Sequence, residues 1–383
     1  MKRNIIIVGG GASGIISALR LKMENPDLKV LLLEQNPRIG KKILKTGNGR
    51  CNISNLNMSS DHYNQPQFLS SCLRKFSVND LVDFFQKLGL ILRADSFKRL
   101  YPYSEYATTV LEVFLQALNK YQIDVRCNQE VKEIFITDGF VVKTENDIFE
   151  SDFVIVATGS LAQEKTNGYE LLKKLNHTKT ALEPGLVPLK TKENLSSLRG
   201  IKIKCKARVI HNDKILHEEE GEMLFKEQGL SGVLSLNLSR YAQPESIISL
   251  DLFPNTEILP ILKELTKDKD LENVLLGIFP KMLVYEILKR SKHQNLFDVA
   301  KLIHNLEYEV VGKYSFSNAQ ITLGGININE INYDFSSKLN KDLFIIGEVL
   351  DVDGECGGYN LHFAWVSGII AADAILKHFE KKL

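Results

Sequence analysis

Residues 4–22, NIIIVGGGASGIISALRLK, restrict the possible folds more than any other stretch of this chain. Ile5–Val8 is an uninterrupted apolar run, as expected of a strand covered on both faces in a parallel sheet. Gly9, Gly11 and Gly14 follow at G-x-G-x-x-G spacing, and Ala12 to Met23 then carries apolar residues at helical spacing. The three glycines serve different mechanical ends. Gly9 permits the tight turn, Gly11 lets a backbone approach a pyrophosphate, and Gly14 brings helix and strand close. Ala12 and Ser13 occupy the first helical turn, where unused N–H groups and the positive end of the helix dipole attract phosphate.

A second strand, KVLLLE, ends in Glu34, twenty positions after Gly14, with Gln35 next. A carboxylate there can accept hydrogen bonds from a ribose hydroxyl and repels a 2′-phosphate. The alternative is a glycine-rich turn with a solvent-facing glutamate. The segment that follows, GKKILKTGNGRCNISN (40–55), has little apolar area to bury, yet it directly succeeds a buried strand. Its exposed amides and small residues (Gly49, Cys51 and Asn52 among them) suit a loop lying along an extended cofactor, with Lys42 and Arg50 meeting its oxygens. A solvated basic loop is the competing reading.

Two later segments return to the same place. DFVIVATGS reads as a buried strand ending in Ala157, Thr158 and Gly159. DLFIIGEVLDVDGECGGYNL begins as another, turns at Gly347 and Glu348, and passes Gly357 and Gly358. It then enters an apolar helix through Tyr359, Asn360 and Leu361. In two-domain flavoproteins a strand ending in Gly-acid supplies the carboxylate for the ribityl chain, and the next helix points its N-terminus at the flavin. A cofactor contacted from both ends of the chain must be long, and FAD satisfies that requirement.

Bulk properties narrow the class further. A chain of 383 residues exceeds one simple core and implies two or three domains. The net charge of +1 provides no global field toward nucleic acid or an anionic membrane. Runs such as NIIIVGG and DLFIIGE are too short for a membrane span, and MKRNIIIVGG leads into a motif, so no targeting segment is read. The five cysteines are scattered without a C-x-x-C pair, and the eight histidines lack metal-ligand spacing. No metal site or membrane partner is expected, and a reduced cytoplasmic setting fits.

Together VGGGASG, GKKILKTGNGRCNISN, FKRLYPYSEYATTV, GLVPL, GEMLFKEQGLSGV, AQITLGGI and GEVLDVDGECGGYNLHFAWVSG resemble the YhiN/BaiN-like flavoproteins, also called the aminoacetone oxidase family. The segments run in family order over nearly the whole chain. The resemblance implies FAD, a Rossmann-like domain, and an inserted β-barrel-like domain with a helical subdomain. By matching position it assigns cofactor contacts to Gly11, Ser13, Gly14, Glu34, Lys42, Arg50, Cys51, Asn52, Gly159, Glu348, Gly358, Tyr359, Asn360 and Leu361. The chain departs from the family pattern after Gly159, at Cys356 and at His362, where the substrate side of the flavin is expected.

The expected fold class is therefore α/β, with a discontinuous Rossmann-like FAD-binding domain of residues 1–186 and 325–383. An inserted β domain of 187–253 and 314–324 and a helical subdomain of 254–313 complete it. Residues around Asp138-Gly139 read as an antiparallel hairpin beside the main sheet, and GLVPLKT through SGVLSLNLS as short strands.

No second G-x-G-x-x-G follows a strand, so NADH or NADPH is expected only as a transient reductant at the flavin. The expected activity is hydride transfer through flavin N5 with reduction of a C=C bond in a small molecule. Alternatives are reduction of ribosomal RNA uridine to dihydrouridine, an oxygen-using amine oxidase of the aminoacetone type, and a non-catalytic flavin-bound regulator. Tyr359 or His362 can supply the proton, though His362 can equally pack its helix start; Cys51 is either a redox thiol, paired with Cys356, or a small side chain packed against the cofactor. For an RNA partner, Lys281, Lys289, Arg290, Lys292 and His293 form a local basic patch, or else a solvated helix end.

Overall fold

A computed structural model describes residues 3–291 and 295–380, so Lys292 and His293 lie outside the described residues. The chain divides into two compact units, Met1–Glu183 with Ile321–Leu383, and Pro184–Gln320. The first is the expected discontinuous Rossmann-like domain. Its parallel sheet runs in the order Asp124–Arg126, β2 (Val30–Leu33), β1 (Arg3–Val8), Ile148–Val156, Leu343–Ile345. In chain sequence this is the 3-2-1-4-5 order of a doubly wound sheet, which places a ligand crevice beyond the carboxyl ends of the central strands. Ile5 pairs with Val30 on one side and Phe153 on the other.

The strand Ile148–Val156 serves two sheets' worth of pairing. Its first half alternates exposed and covered residues and pairs antiparallel with Phe140–Lys143, extending the expected hairpin around Gly139. Its second half, Phe153–Val156, is continuously buried between β1 and Leu343–Ile345. The change from alternating to unbroken apolar sequence within one strand marks where the sheet gains cover on its second face.

Helix α1 (Ala12–Glu24) packs along the C-terminal helix, Tyr359–Glu380. A Cβ on Gly368 would sit 2.5 Å from the Ser13 carbonyl oxygen, so that glycine sets the approach of the two helices. The C-terminal helix is apolar and long enough to cross a membrane by length and composition alone, contrary to the expectation from runs in the sequence. Of its most apolar window, 78% is buried inside the protein, as in a core helix. Trp365, fully buried, donates its indole N–H to the Ile53 carbonyl at 3.1 Å and meets Phe85 and Phe114, holding this helix to the segment after the glycine-rich loop.

The second unit contains a closed barrel of six strands: Leu189–Thr191, Gly229–Ser231, Lys214–Lys226, Lys202–His211, Ile247–Asp251 and Leu306–Lys313. Four helices between Ile258 and His304 separate the last two strands in sequence. Two expectations differ from what is found. Residues 306–313, assigned to the helical subdomain, alternate as LEYEVVGK and close the barrel against both neighbours. Conversely Gly232–Leu238, read as strand, is a helix: Gly232 turns the chain at φ +85°, and Leu234 and Leu238 bury one helical face.

Candidate dinucleotide site

The early glycines divide into two kinds. A Cβ on Gly9 would collide with the Ala157 carbonyl, and one on Gly14 with the Gly9 carbonyl, so these two let β1, α1 and the returning strand converge. Gly9 also adopts φ +113°, a region closed to most side chains. Gly11 is different: it precedes α1 without a side-chain cap, and a Cβ there meets nothing within 4 Å. It faces open space at a helix start, where the first-turn N–H groups of Ala12 and Ser13 have no intrahelical partner.

Glu34 is buried, and its carboxylate braces the glycine turn. Oε2 accepts the Gly10 N–H at 2.8 Å, while Oε1 accepts the Asn36 backbone N–H at 2.8 Å and its side-chain amide at 2.7 Å. The expected ribose acceptor thus also fixes the loop, with further lone pairs left on each oxygen. A narrow cleft beside it is lined by Gly9, Glu34, Gln35, Val131 and Thr158. Gln35 turns its amide to the Lys165 carbonyl at 2.7 Å. Ala157 is buried beneath Gly9, Thr158 holds a buried hydroxyl with no hydrogen-bond partner among the described residues, and Gly159 opens onto free space at φ +68°.

The glycine- and asparagine-rich loop is a broken 3₁₀ turn over Ile43–Gly49. Gly47, Asn48, Gly49 and Cys51 all have positive φ. At Cys51 this conformation is uncommon for a residue bearing a side chain, and the surrounding structure must hold it. Cys51 donates its N–H to the Thr46 carbonyl at 3.0 Å. Burial pushes its thiol up to about 12, against a weaker opposing hydrogen bond to Thr46. A fully buried thiol held neutral by its surroundings favours the packing reading of Cys51 over the redox one.

Lys42 does not project freely. Its Nζ lies 2.6 Å from Glu348 Oε2, and Glu348 Oε1 accepts the Thr322 N–H at 3.1 Å. The first and last sequence blocks are therefore joined by an ion pair. Arg50 lies over the Tyr101 ring at 4.7 Å and 3.9 Å from Glu105. Asn52 points a buried Oδ1 that has no partner among the described residues, close to Gly358. A Cβ on Gly49 would meet nothing within 4 Å.

At the late end, Gly347 turns at φ +72° against Ser13, where a Cβ would stand 2.5 Å from Oγ. Gly357 and Gly358 have φ +138° and +102°, and Gly358 packs on the Ser54 carbonyl. Asn360 closes the preceding loop, accepting the Gly354 N–H at 2.8 Å and donating back to the Gly354 carbonyl. Leu361 is half-buried against the core.

Tyr359 and His362, the two expected proton donors, lie at this end. Tyr359 stacks on His62 at 4.2 Å, and burial together with Glu355 raises its phenol to about 12. His362 is fully buried, with Nδ1 2.9 Å from Ser54 Oγ, and burial lowers its pKa to about 3. Tyr359 keeps its proton, and His362 is a neutral ring whose Nε2 has no partner among the described residues. A hydrogen-bonded His–Glu pair at this end was not foreseen from the sequence. His62 Nδ1 lies 2.7 Å from Glu355 Oε2, both side chains are half-exposed, and the two residues are 293 positions apart.

In the helical insert Arg290 bonds Glu286 and the Glu307 carbonyl and covers Tyr308, and Lys281 lies over Tyr285. The expected basic patch is largely engaged within its own unit. No cluster of three or more His, Cys, Asp or Glu side chains that could hold a metal occurs among the described residues.

These features fit FAD. Gly11, Gly49 and Gly159 border open space, and Asn52, Thr158 and His362 present buried polar atoms without partners among the described residues. Ser13 joins the early glycines to the late ones. The fold and site define an FAD-dependent oxidoreductase of the Rossmann class. The chain matches the family described as HI0933-like protein Rossmann domain over residues 3–374 and belongs to it, which bears out the resemblance drawn from the motifs.

Among its relatives is the 3-dehydro-bile acid delta(4,6)-reductase of Clostridium scindens, 32% identical over 96% of this chain and 98% of that protein. Another is the ribosomal RNA dihydrouridine synthase of Haemophilus influenzae, 26% identical over 97% and 98%. Among solved structures, the open conformation of a flavocytochrome c3 fumarate reductase shares the fold. Its TM-score is 0.50 at 16% identity, over 98% of this chain and 78% of that one.

Proposed function

We propose that this oxidoreductase adds a hydride and a proton across a carbon–carbon double bond conjugated to a carbonyl in a small molecule, with NADH or NADPH as transient reductant. The observation that carries this reading is the 32% identity, over nearly the full length of both chains, to a relative named as a reductase of an unsaturated 3-dehydro-bile acid. Conjugation matters because hydride adds to the far alkene carbon while the carbonyl oxygen takes up the negative charge. FAD bound in the cleft supplies the two-electron chemistry at its N5.

The chain's own residues bind and orient. The turn at Gly11 and the first turn of α1 receive the phosphates, and Glu34 holds the glycine turn while offering acceptor capacity to a ribose. Asn52 brings a buried amide, and the start of the C-terminal helix at Gly358 brings partial positive charge that favours an anion at that end. The proton belongs to the His62–Glu355 pair: Glu355 orients the imidazole through Nδ1, and histidine is the commonest proton carrier in enzymes near neutral pH.

Anaerobic reduction of the FAD-loaded protein by NADH or NADPH, followed by mixing with a conjugated enone and with the matching saturated ketone, tests the reading. Bleaching by the nicotinamide and reoxidation by the enone alone is the expected result. Reoxidation only by oxygen, with an amine as the reducing substrate, would replace it with the amine-oxidase alternative. A second reading, reduction of uridine in RNA, is favoured by the two relatives named ribosomal RNA dihydrouridine synthase, 26% and 28% identical, because uridine's double bond is also conjugated to a carbonyl.

A further inference from the structure

Within the first unit, a small sheet of Ser54–Asn55, Arg99–Pro102 and Leu92–Ala94 continues directly from the glycine-rich loop. Side chains alternate between two faces along its central strand, so Arg99 and Tyr101 share one face, where Tyr101 is buried with the guanidinium groups of Arg50 and Arg99 over its ring. The register sets Arg93 opposite Tyr101, which puts Arg93 on that face too. Rings and guanidinium groups then interleave. Arg99 lies 5.0 Å over Phe97 and 5.9 Å over Tyr101, Arg50 lies 4.7 Å over Tyr101, and Arg93 lies 5.4 Å over Tyr103.

Such rings are normally covered, yet Phe97 is 71% and Tyr103 65% exposed. Three guanidinium groups, Arg50, Arg93 and Arg99, stand here against two carboxylates, Asp95 and Glu105, and Lys98 is exposed just before the strand. Burial raises the Asp95 carboxyl, but its bonds and charge contact with Arg99 prevail and hold it below the usual range. Glu105 bonds Arg93. The face therefore keeps an excess of positive charge on a chain whose net charge is only +1.

Flat exposed rings alternating with guanidinium groups match unpaired bases joined by phosphates. We infer that this sheet face binds single-stranded RNA, with bases stacked on Phe97 and Tyr103 and phosphates met by Arg93, Lys98 and Arg99. Duplex RNA hides its base faces and does not fit. The inference deepens the second reading above and rests on that reading alone; reduction of a small enone does not depend on it.

The test uses the full FAD-loaded chain and a fluorescently labelled single-stranded oligouridylate, read by anisotropy across a salt series. Duplex RNA of equal length and polyphosphate serve as competitors. Binding of the single strand is expected, with Phe97→Ala and Tyr103→Ala each weakening it about tenfold. Phe97→Leu, which keeps apolar bulk without a stacking face, should weaken it nearly as much. Arg93→Ala should lower both affinity and the salt slope. FAD content, melting temperature and enone turnover should not change in the Phe97 and Tyr103 variants.

The inference is overturned if the oligouridylate fails to bind at physiological salt, if the ring variants bind like the parent, or if polyphosphate competes as well as RNA. It is equally overturned if sedimentation shows a dimer that Phe97→Ala dissociates, because the face then serves self-association. Loss of RNA binding with intact enone reduction would sink the surface and leave the small-molecule reading standing. Failure of enone reduction with RNA bound through these rings would do the reverse.

Discussion

At the scale of single residues, burial decides which groups near the cleft can titrate. His362 stays neutral in the folded protein, with burial lowering its pKa from 6.5 to about 3. In the unfolded chain it takes up a proton near 6.5, so the unfolded state binds more protons between roughly pH 6.5 and 3. Stability from this residue is complete above that window and is lost as the pH falls through it. Between pH 7.5 and 5 the loss is about 2 kcal/mol at most. Urea unfolding of the FAD-free protein checks this: His362→Gln should show a pH dependence over that range shallower by about this amount. Parallel pH dependences would mean that water reaches His362 in the folded state. A motif gives the position of Cys51, Tyr359 and His362 and not their solvation, so their burial was not legible in the sequence. His62 and Glu355 went unseen for a different reason: nothing local connects residues 293 positions apart.

At the scale of elements, the glycine turn separates folding from binding. Gly14→Ala forces a methyl group into the Gly9 carbonyl and should cost about 2 kcal/mol or more of stability in the FAD-free protein. Gly11→Ala meets no protein atom within 4 Å and has an ordinary backbone conformation, so its melting temperature should stay within about 2 °C of the parent. Its FAD affinity should fall at least about tenfold, because the added methyl stands where the pyrophosphate must approach. Equal destabilisation by the two changes, measured by thermal unfolding and FAD titration, would contradict this division. The strand–turn–helix unit was legible because uninterrupted apolar runs and spaced glycines have few other solutions. The barrel strand Leu306–Lys313 was not, since only a short alternation follows a long helical stretch. Gly232–Leu238 was misread because its apolar residues fit both a strand and a short helix, and the turn at Gly232 decides between them.

At the scale of the whole molecule, the first unit is sewn together from distant parts of the sequence. Lys42 with Glu348, Ser13 with Gly347, Asn52 beside Gly358, and Trp365 with Ile53 each join the first sixty residues to the last forty. Fold class and cofactor were readable because both termini carry recognisable glycine blocks around one sheet. The exposed rings of Phe97 and Tyr103 were not, because they flank the strand Arg99–Pro102 and their exposure depends on what the rest of the unit leaves uncovered. The central claim is that one FAD is gripped at its phosphates by the early glycines and at its ring by the late blocks. Titration of the FAD-free protein with FAD and with ADP, in the parent, Gly11→Leu and Asn52→Leu, tests it most directly. One FAD per chain is expected in the parent, bound far more tightly than ADP, with Gly11→Leu weakening both ligands and Asn52→Leu weakening FAD alone. If Asn52→Leu leaves FAD affinity unchanged, or lowers ADP affinity as much as FAD affinity, the two-ended grip is wrong.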